Sequence, residues 1–350
     1  MSDNRLVRMA FFFGKIFSPV YSLVMRIRAA FYAKGILAVT RLTLPVVSVG
    51  NLTLGGTGKT PMVMYLARLL SSHGLRPGVV SRGYGGQNRL PVALVSDGNR
   101  IFLSSVEAGD EPVLLARELP GVPVVISRQR VNGGQYLVRR DCVDVLILDD
   151  GFQHQAVSRD FDLVLFASGV PISSEWVFPG GILREPAAAL RRADCCVVTG
   201  AAGRDASDDV LFRRWLGQQC PGVPVFFGDY EPVALYDQQQ RRVPLEELVD
   251  VPLFAFCGIA NPQSFWRIIE SRFLVKGRKP FSDHYPFLSG DIEDIVRLAL
   301  AADCAALITT EKDYVKIKSM KSALPIWVLA VGLRMEEGFD RFVLEKLCVV

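Results

Sequence analysis

The feature that most constrains the fold of this chain is a glycine-rich turn, "GGTGKT", at residues 55–60. The mostly apolar residues 46–50 before it predict a short buried strand, and the residues from Pro61 to Leu70 predict an apolar-faced helix. In such a strand–turn–helix unit, backbone N–H groups converge on phosphate oxygens and the helix N-terminus adds its dipole. The turn therefore predicts a phosphate-binding P-loop.

The side chains of this turn predict a nucleotide bound with magnesium. Lys59 would reach the β- and γ-phosphates, and the Thr60 hydroxyl would ligate Mg²⁺. A strict Walker A motif has glycine where this chain has Thr53, and we expect the Gly55-Gly56 pair to supply the flexibility instead. Since the GTP-reading motif NKxD is absent from the sequence, ATP is the expected nucleotide. Its expected contacts are Leu54, Gly55, Gly56, Thr57, Gly58, Lys59 and Thr60.

A second strand, "VDVLILDD", ends in two carboxylates, Asp149 and Asp150. An acidic residue after an aliphatic strand is typical of Walker B motifs. Adjacent strand residues point to opposite faces, so the two side chains are not expected to serve one ion in the same way. We expect one to bind Mg²⁺ and the other to contact substrate or hold a loop. The alternative is a solvated turn.

Apolar segments alternate with helix-length spacers along most of the chain. Further strands are predicted at 77–81, 122–127, 161–166, 195–199, 225–227, 253–257, 305–309 and 326–331. This alternation predicts an α/β fold, P-loop NTPase-like, with a doubly wound, mainly parallel sheet. We expect an N-terminal segment at 1–40, an ATP-binding lobe at 41–180 and a second, smaller α/β lobe at 181–350 that closes a cleft.

Composition excludes several classes of protein. The seven cysteines are odd in number and include no CxxC pair, which predicts a reduced chain without disulfides or structural zinc. Residues 1–41 hold seven basic residues and one acidic residue, a charge of +6, whereas the whole chain carries +4. Because the positive charge is confined to this segment, no nucleic-acid partner is expected.

The basic N-terminal segment is also rich in aromatic and aliphatic residues, including Phe11, Phe12 and Phe13. Its longest uncharged run, 16–25, contains Pro19 and is too short to span a bilayer, which needs roughly 20 apolar residues. We expect an amphipathic helix that lies on a membrane surface, with its cations at anionic headgroups. The alternative is a helix that packs on the protein and covers a groove.

Three polar segments offer groups for phosphoryl transfer, which needs positioned cations and a base for the acceptor hydroxyl. They are "GDEP" with Asp110 and Glu111, "SRQR" with Arg128 and Arg130, and "FSDHYPF" with His284. Asp110 could instead cap a helix, since carboxylates favour helix N-termini. The later motif "TTEKD" is favoured as a capping box that begins at Thr310.

The motifs together resemble the tetraacyldisaccharide 4′-kinases of lipid A biosynthesis over about residues 40–315. They are, in order, "SVGNLTLGGTGKTP", "SRGYGG", "GDEP", "LDDGFQH", "LREP", "CGIANPQSF", "DHYPF" and "TTEKD". The resemblance implies ATP-dependent phosphorylation of the 4′-hydroxyl of a tetraacylated glucosamine disaccharide 1-phosphate. It also implies a peripheral protein at the cytoplasmic face of the inner membrane of a Gram-negative-type bacterium. The glycolipid and the membrane surface are then the expected partners, and no obligate protein partner is inferred.

The resemblance also implies residue roles. Asp110 would be the base, supported by His284, and Glu185 of "LREP" is implied as a further Mg²⁺ ligand. The expected substrate contacts are Arg82, Tyr84, Glu111, Arg130, Gln153, His154 and Arg184. His154 could instead only fix the turn after its strand, and Arg82 with Tyr84 could form a plain surface loop.

Two other functions are compatible with a P-loop. One is a membrane-recruited switch ATPase that acts on a protein partner; the signature lysine of that class is replaced here by Leu54. The other is a soluble small-molecule kinase, which leaves the N-terminal aromatic residues unexplained.

Overall fold

A computed structural model describes residues 11–169, 176–200, 206–239, 241–283 and 285–348. Within these residues one mixed sheet has thirteen strands. They are β1 Val46–Asn51, β2 Pro77–Ser81, β3 Ala93–Ser96, β4 Val124–Ile126, β5 Val145–Asp149, β6 Phe161–Ala167, β7 Cys195–Thr199, β8 Val225–Tyr236, β9 Arg242–Val243, β10 Leu253–Cys257, β11 Val275–Pro280, β12 Ala306–Thr310 and β13 Ile326–Met335. Their order is β11-β10-β12-β13-β8-β7-β6-β1-β5-β2-β4-β3, and β9 pairs with β8.

Helices connect most of the strands. They are α1 Ser18–Ala33, α2 Lys59–Ser72, α3 Ser105–Ala108, α4 Asp110–Glu118, α5 Arg130–Arg139, α6 Ala206–Gln219, α7 Pro262–Glu270, α8 Ser289–Ala301, α9 Glu311–Ile317 and α10 Phe339–Lys346. Short 3-10 helices occupy Ala187–Arg192 and Leu245–Leu248. The predicted doubly wound, mainly parallel α/β sheet is confirmed.

The central strand β1 explains why the P-loop lies where it does. It pairs in parallel with β5 on one side and β6 on the other, and all six of its residues are buried. Val47 and Val49 belong to the core under α2, whereas Val46 belongs to a separate core that contains Leu137 of α5. A parallel strand covered by helices on both faces is buried throughout, as this one is, and is mostly apolar, with Ser48 and Asn51 as its polar residues. Its carboxyl end leads directly into the glycine-rich turn.

Two long antiparallel strands join the halves of the sheet. β8 and β13 pair from Val328↔Tyr236 to Met335↔Gly228, and the first residues of β8 pair in parallel with β7. The sheet therefore continues without a break from the P-loop half to the strands β10, β11 and β12. Strand β7 lies after residue 181 but pairs with β6, so the sheet does not mark the expected limit at 180/181, and the domain limits stay a prediction.

Helix α1 exposes an apolar stripe. Its exposed residues recur at spacings of three and four, the pattern of one helix face; with those of the turn before it they are Phe12, Phe13, Ile16, Phe17, Val20, Leu23, Val24, Ile27 and Phe31. The opposite face packs on the loop 176–181, where the buried Ser18 hydroxyl donates to the Val177 carbonyl at 2.6 Å. No helix among the described residues is long and apolar enough to cross a bilayer.

Candidate active site

The P-loop has the conformation that phosphate binding requires. Gly55 and Gly58 have φ of 105° and 81°, values that favour glycine over residues with a side chain. Gly58 is the residue before α2, so the free N–H groups of the first helical turn start at Lys59. A side chain at Gly58 would also collide with the Tyr230 hydroxyl. The turn thus presents backbone donors and a helix N-terminus to an anion.

Residues distant in sequence hold this turn in place. The Thr199 hydroxyl, at the end of β7, donates to the Thr57 carbonyl at 3.0 Å. Thr53, which replaces the Walker A glycine, is buried and forms a β-bridge with Leu183. Leu54 is partly exposed, and its N–H donates to the Ile182 carbonyl at 2.7 Å. The loop 182–184 therefore supports the start of the P-loop.

Asp149 is a buried carboxylate at the carboxyl end of β5. One oxygen accepts the Ser81 hydroxyl at 2.8 Å, and the other has no partner among the described residues. Burial, with the nearby charges of Glu111 and Asp150, raises the pKa of Asp149 to about 6. A buried carboxylate oxygen without a donor fits a cation-binding role.

Asp150 points elsewhere, as the alternation of strand side chains predicts. Its backbone is left-handed, with φ of 52°. Both carboxylate oxygens accept from Arg184 Nη1, at 2.8 and 3.0 Å, and Lys59 Nζ lies 3.6 Å from Oδ1. Burial alone would raise the pKa of Asp150, but the charges of Lys59 and Arg184 outweigh it and hold the pKa below its usual value. Asp150 thus orients the P-loop lysine.

The donors suit Mg²⁺ more than a structural metal. No group of three or more His, Cys, Asp or Glu is gathered as a metal site in the described parts of the chain. Magnesium rarely needs such a group, because it keeps waters and takes its other ligands from one or two carboxylates and the substrate phosphates. Glu185 is buried, with Oε2 accepting from Arg192 at 2.9 Å and Oε1 lacking a described partner.

Arg130 and His154 lie beside the end of β5. Arg130 is 1% exposed, and its two terminal nitrogens donate to the carbonyls of Ser127 and Asp149 at 2.8 and 2.9 Å. Burial lowers the pKa of Arg130 to about 10, which leaves it charged at neutral pH. Burial and the charges of Arg130 and Arg82 lower the pKa of His154 to about 4, so this imidazole is neutral. The contacts of Arg130 give it a role in fixing the strand end, and substrate contact by either residue stays a prediction.

Gln153 links the strand end to the N-terminal helix. Its side-chain Nε2 donates to the backbone carbonyl of Asn51 at 3.0 Å, and its backbone carbonyl accepts from Arg28 Nη2 at 3.3 Å. Arg28 was not among the predicted site residues. A basic residue of α1 therefore reaches the loop that follows the Walker B strand.

The loop 82–86 lies against the start of α4. Arg82 and Tyr84 are exposed, and a side chain at Gly109 would collide with the Tyr84 carbonyl. This contact brings the loop next to Asp110, the first residue of α4. The exposed side chains are open to solvent, and contact of this loop with a ligand stays a prediction.

Asp110 and Glu111 face two lysines of α9 that sequence reasoning missed. Lys316 Nζ lies 3.7 Å from Asp110 Oδ2. Lys312 Nζ lies 3.4 Å from Glu111 Oε1 and 3.3 Å from Asp283 Oδ1. Burial would lower the pKa of Lys312, but the carboxylates of Glu111 and Asp283 outweigh it and raise the pKa. His284, the predicted partner of Asp110, lies outside the described residues.

The same helix begins as its motif predicts, since the Thr310 hydroxyl caps it by accepting from the Asp313 N–H at 3.2 Å. The two lysines stand four residues apart, the spacing of one helix face. That spacing in "TTEKDYVK" is the signal that could have pointed to a paired contact. The sequence could not indicate that α4 would lie opposite.

Comparisons with known proteins show the family of this chain. Residues 10–348 match the model of the tetraacyldisaccharide-1-P 4′-kinase family. A tetraacyldisaccharide 4′-kinase from Desulfotalea psychrophila is 41% identical over 97% of both chains. One from Syntrophus aciditrophicus is 40% identical over 95% of this chain and 92% of its own.

A solved structure is similar over nearly its whole length. The crystal structure of LpxK from Aquifex aeolicus in complex with ATP matches with a TM-score of 0.75 and 30% identity, over 95% of this chain and 97% of that one. The chain belongs to the tetraacyldisaccharide-1-P 4′-kinase family.

Proposed function

We propose that this chain transfers the γ-phosphate of ATP to the 4′-hydroxyl of a tetraacylated glucosamine disaccharide 1-phosphate, which yields lipid IVA. The observation that carries the proposal, in a member of this family, is that the α4 carboxylates lie near the P-loop region, where the charge of Glu111 helps raise the pKa of Asp149. The loop binds the donor, and Asp110 meets the acceptor.

The donor end is built from fixed groups. The N–H groups of residues 55–60 surround the phosphates, and Lys59, oriented by Asp150 at 3.6 Å, places a charge beside the transferred group. Mg²⁺, when bound, neutralises phosphate charge. Thr60 and the open oxygen of Asp149 are the groups suited to hold it. Asp150 already pairs with Arg184 and Lys59, so it is the weaker candidate for a Mg²⁺ ligand. Glu185 stays a further candidate ligand.

The acceptor end needs a base and contacts for a sugar. Asp110, at the N-terminus of α4, takes the hydroxyl proton as the oxygen attacks the γ-phosphorus, whose bond to the bridging oxygen breaks so that ADP leaves. The exposed Arg82 and Tyr84, on the adjoining loop, border the space where the acceptor enters. Arg184, Gln153 and the neutral His154 offer polar groups near the Asp149 end of β5. Glu111 and Arg130 hold neighbouring groups in place.

The acceptor is an amphiphile, and α1 offers a surface to reach it. Exposed apolar patches on a monomer mark interaction sites, and this stripe alternates with cations such as Arg26 and Lys34. The ring of Tyr21 packs on Phe178 and the Ser18 hydroxyl bonds to Val177, so the opposite face is fixed to the protein. This arrangement supports peripheral binding to the cytoplasmic face of the inner membrane.

The transfer itself is tested with labelled ATP. The protein is mixed with Mg-[γ-³²P]ATP and a detergent-solubilised tetraacyl disaccharide 1-phosphate, and lipid and free phosphate are separated. Labelled lipid that forms with the wild type supports the proposal. Release of free phosphate alone, at a rate independent of lipid, would contradict it and favour a switch ATPase.

Membrane binding is tested by replacing part of the stripe. Ile16→Ser, Val20→Ser and Val24→Ser together should reduce co-sedimentation with vesicles that contain anionic lipid. The matched control replaces three exposed leucines outside the stripe by serine. They are Leu298 and Leu300 of α8 and Leu288, the residue before that helix. Equal sedimentation of both triple variants and the wild type would contradict the role of α1.

A further inference from the structure

The two lysines of α9 differ in what they contact. Lys312 lies between Glu111 and Asp283, whereas Lys316 lies between Asp110 and Asp313. The side chain of Lys316 is 11% exposed and that of Asp110 is 19% exposed, so water screens this pair only in part. Lys316 is thus the α9 cation placed beside the candidate base.

Lys316 is itself held by a buried carboxylate. Asp313 has no exposed side-chain surface, and its Oδ1 lies 3.3 Å from Lys316 Nζ. Its other oxygen accepts the Gly258 N–H and the Thr310 hydroxyl, each at 2.8 Å. The ring of Phe287 lies under the ammonium group, 5.8 Å from it. Fixed on three sides, the ammonium group has little freedom to leave Asp110.

Asp313 also connects Lys316 to the nucleotide end. Gly258 begins the loop "GIANP", and a side chain at Gly56 of the P-loop would press on Ala260 of that loop. A side chain at Gly258 would also press on Ser282 and Tyr285, which stand on either side of His284 in the sequence. The buried Asp313 contacts both Lys316 and Gly258. Through Gly258 it is connected to the loop beside the P-loop and to the "SDHY" segment.

From these contacts we propose that Lys316 is a positioning residue that holds the Asp110 carboxylate at the acceptor hydroxyl. The inference rests on the proposed function, because it concerns the base of the same reaction. Lys316 contacts Asp110, Asp313 and the Phe287 ring, and in this proposal it acts through Asp110. A misplacement of a reacting group by about 1 Å can lower a rate by about 100-fold.

The experiment compares Lys316→Met and Lys316→Arg with wild type in the lipid transfer assay. Methionine keeps most of the volume and removes the charge. We expect kcat to fall about 10-fold to 100-fold in Lys316→Met, with KM for ATP unchanged, and to recover in part in Lys316→Arg. The matched control is Lys318→Met, which removes an exposed lysine at the end of the same helix and should leave kcat unchanged.

A double-mutant cycle separates positioning from a general effect on the fold. In an Asp110→Asn background, Lys316→Met should lower kcat little further, because the group that it positions is already lost. An equal loss in both backgrounds, or a Lys316→Met protein with wild-type kcat, would overturn the inference.

Failure of the inference differs from failure of the proposed function. If the wild type makes labelled lipid but Lys316→Met makes it as fast, only the role of Lys316 is wrong. If the wild type makes none, the proposed function fails first, and the role of Lys316 fails with it.

Discussion

The two ends of the candidate site are built in different ways. At the nucleotide end, Lys59, Asp149 and Asp150 lie at or after the carboxyl ends of β1 and β5, which are neighbours in the sheet. At the acceptor end, Asp110 meets Lys316, a residue 206 positions later along the chain. The first arrangement depends on local motifs at the carboxyl edge of a parallel sheet. The second depends on how α4 and α9 pack across the two halves.

This difference has a consequence for the reaction. The nucleotide end is built on neighbouring strands of the P-loop half, with support from the loop 182–184, Thr199 and the loop after β10. The acceptor end needs both halves in contact, because the charges on α4 are compensated by α9. We therefore expect changes at the first end to affect ATP, and changes at the second to affect transfer with ATP binding intact.

The largest effect is expected from Lys59→Ala at the nucleotide end. Removing the cation beside the transferred phosphate should lower transfer about 1,000-fold, and ATP hydrolysis with it. Asp150 keeps its contacts with Arg184, so the thermal unfolding midpoint should change little. Labelled phosphate transfer is the measurement, with Lys318→Ala as control. Near-normal transfer by Lys59→Ala would remove the P-loop from the mechanism.

A smaller effect, on stability, is expected from Arg130→Met. The change leaves the carbonyls of Ser127 and Asp149 buried without their donors. The free energy of unfolding should fall by about 2–4 kcal/mol. Denaturant unfolding measures it, with the exposed Arg128→Met as matched control. If both variants unfold alike, Arg130 does not hold the end of β5.

The smallest effect concerns pH and the far end of the α4–α9 contact. Burial, together with the adjacent carboxylate of Glu118, raises the pKa of Glu311 from 4.5 to about 9. Between these values the folded protein holds a proton that the unfolded chain releases. The free energy of unfolding contributed by this group is therefore full below pH 4.5 and is lost as the pH rises toward 9.

Glu311→Gln should remove this dependence. Between pH 6 and 8, the unfolding free energy of the variant should fall less steeply than that of the wild type, by on the order of 1 kcal/mol per pH unit. Denaturant unfolding at pH 6, 7 and 8 measures the slope. Glu293→Gln, at an exposed position on α8, is the control. Parallel slopes for wild type and Glu311→Gln would contradict the raised pKa of Glu311.

The sequence predicted the nucleotide end well because its signals are local. The strand, the glycine turn and the aliphatic run before Asp149 are each contiguous, and the structure places them as expected. Strand β11 was missed because "VKGRKP" carries three charges and a glycine, so its half-exposed edge position has no apolar pattern. The full length of β8 was missed because Gly228, Asp229 and Pro232 interrupt it.

The acceptor end could not be built from residue patterns alone. A local reading made Asp110 a helix-start residue and "TTEKD" a capping motif, and the structure agrees with the cap at Thr310. What pairs Lys316 with Asp110 is long-range packing, for which a single sequence has no signal. The family resemblance supplied Asp110 as a candidate base, and the lysine that faces it became visible only in the fold.

The most direct test of the account is a single-turnover comparison of wild type and Asp110→Asn with labelled Mg-ATP and the glycolipid acceptor. Asparagine keeps the shape of the side chain but cannot accept the hydroxyl proton. We expect transfer slower by about 100-fold or more, while the affinity for ATP stays near that of the wild type. Transfer at the wild-type rate would show that Asp110 is not the base, and that the acceptor end has been assigned to the wrong residues.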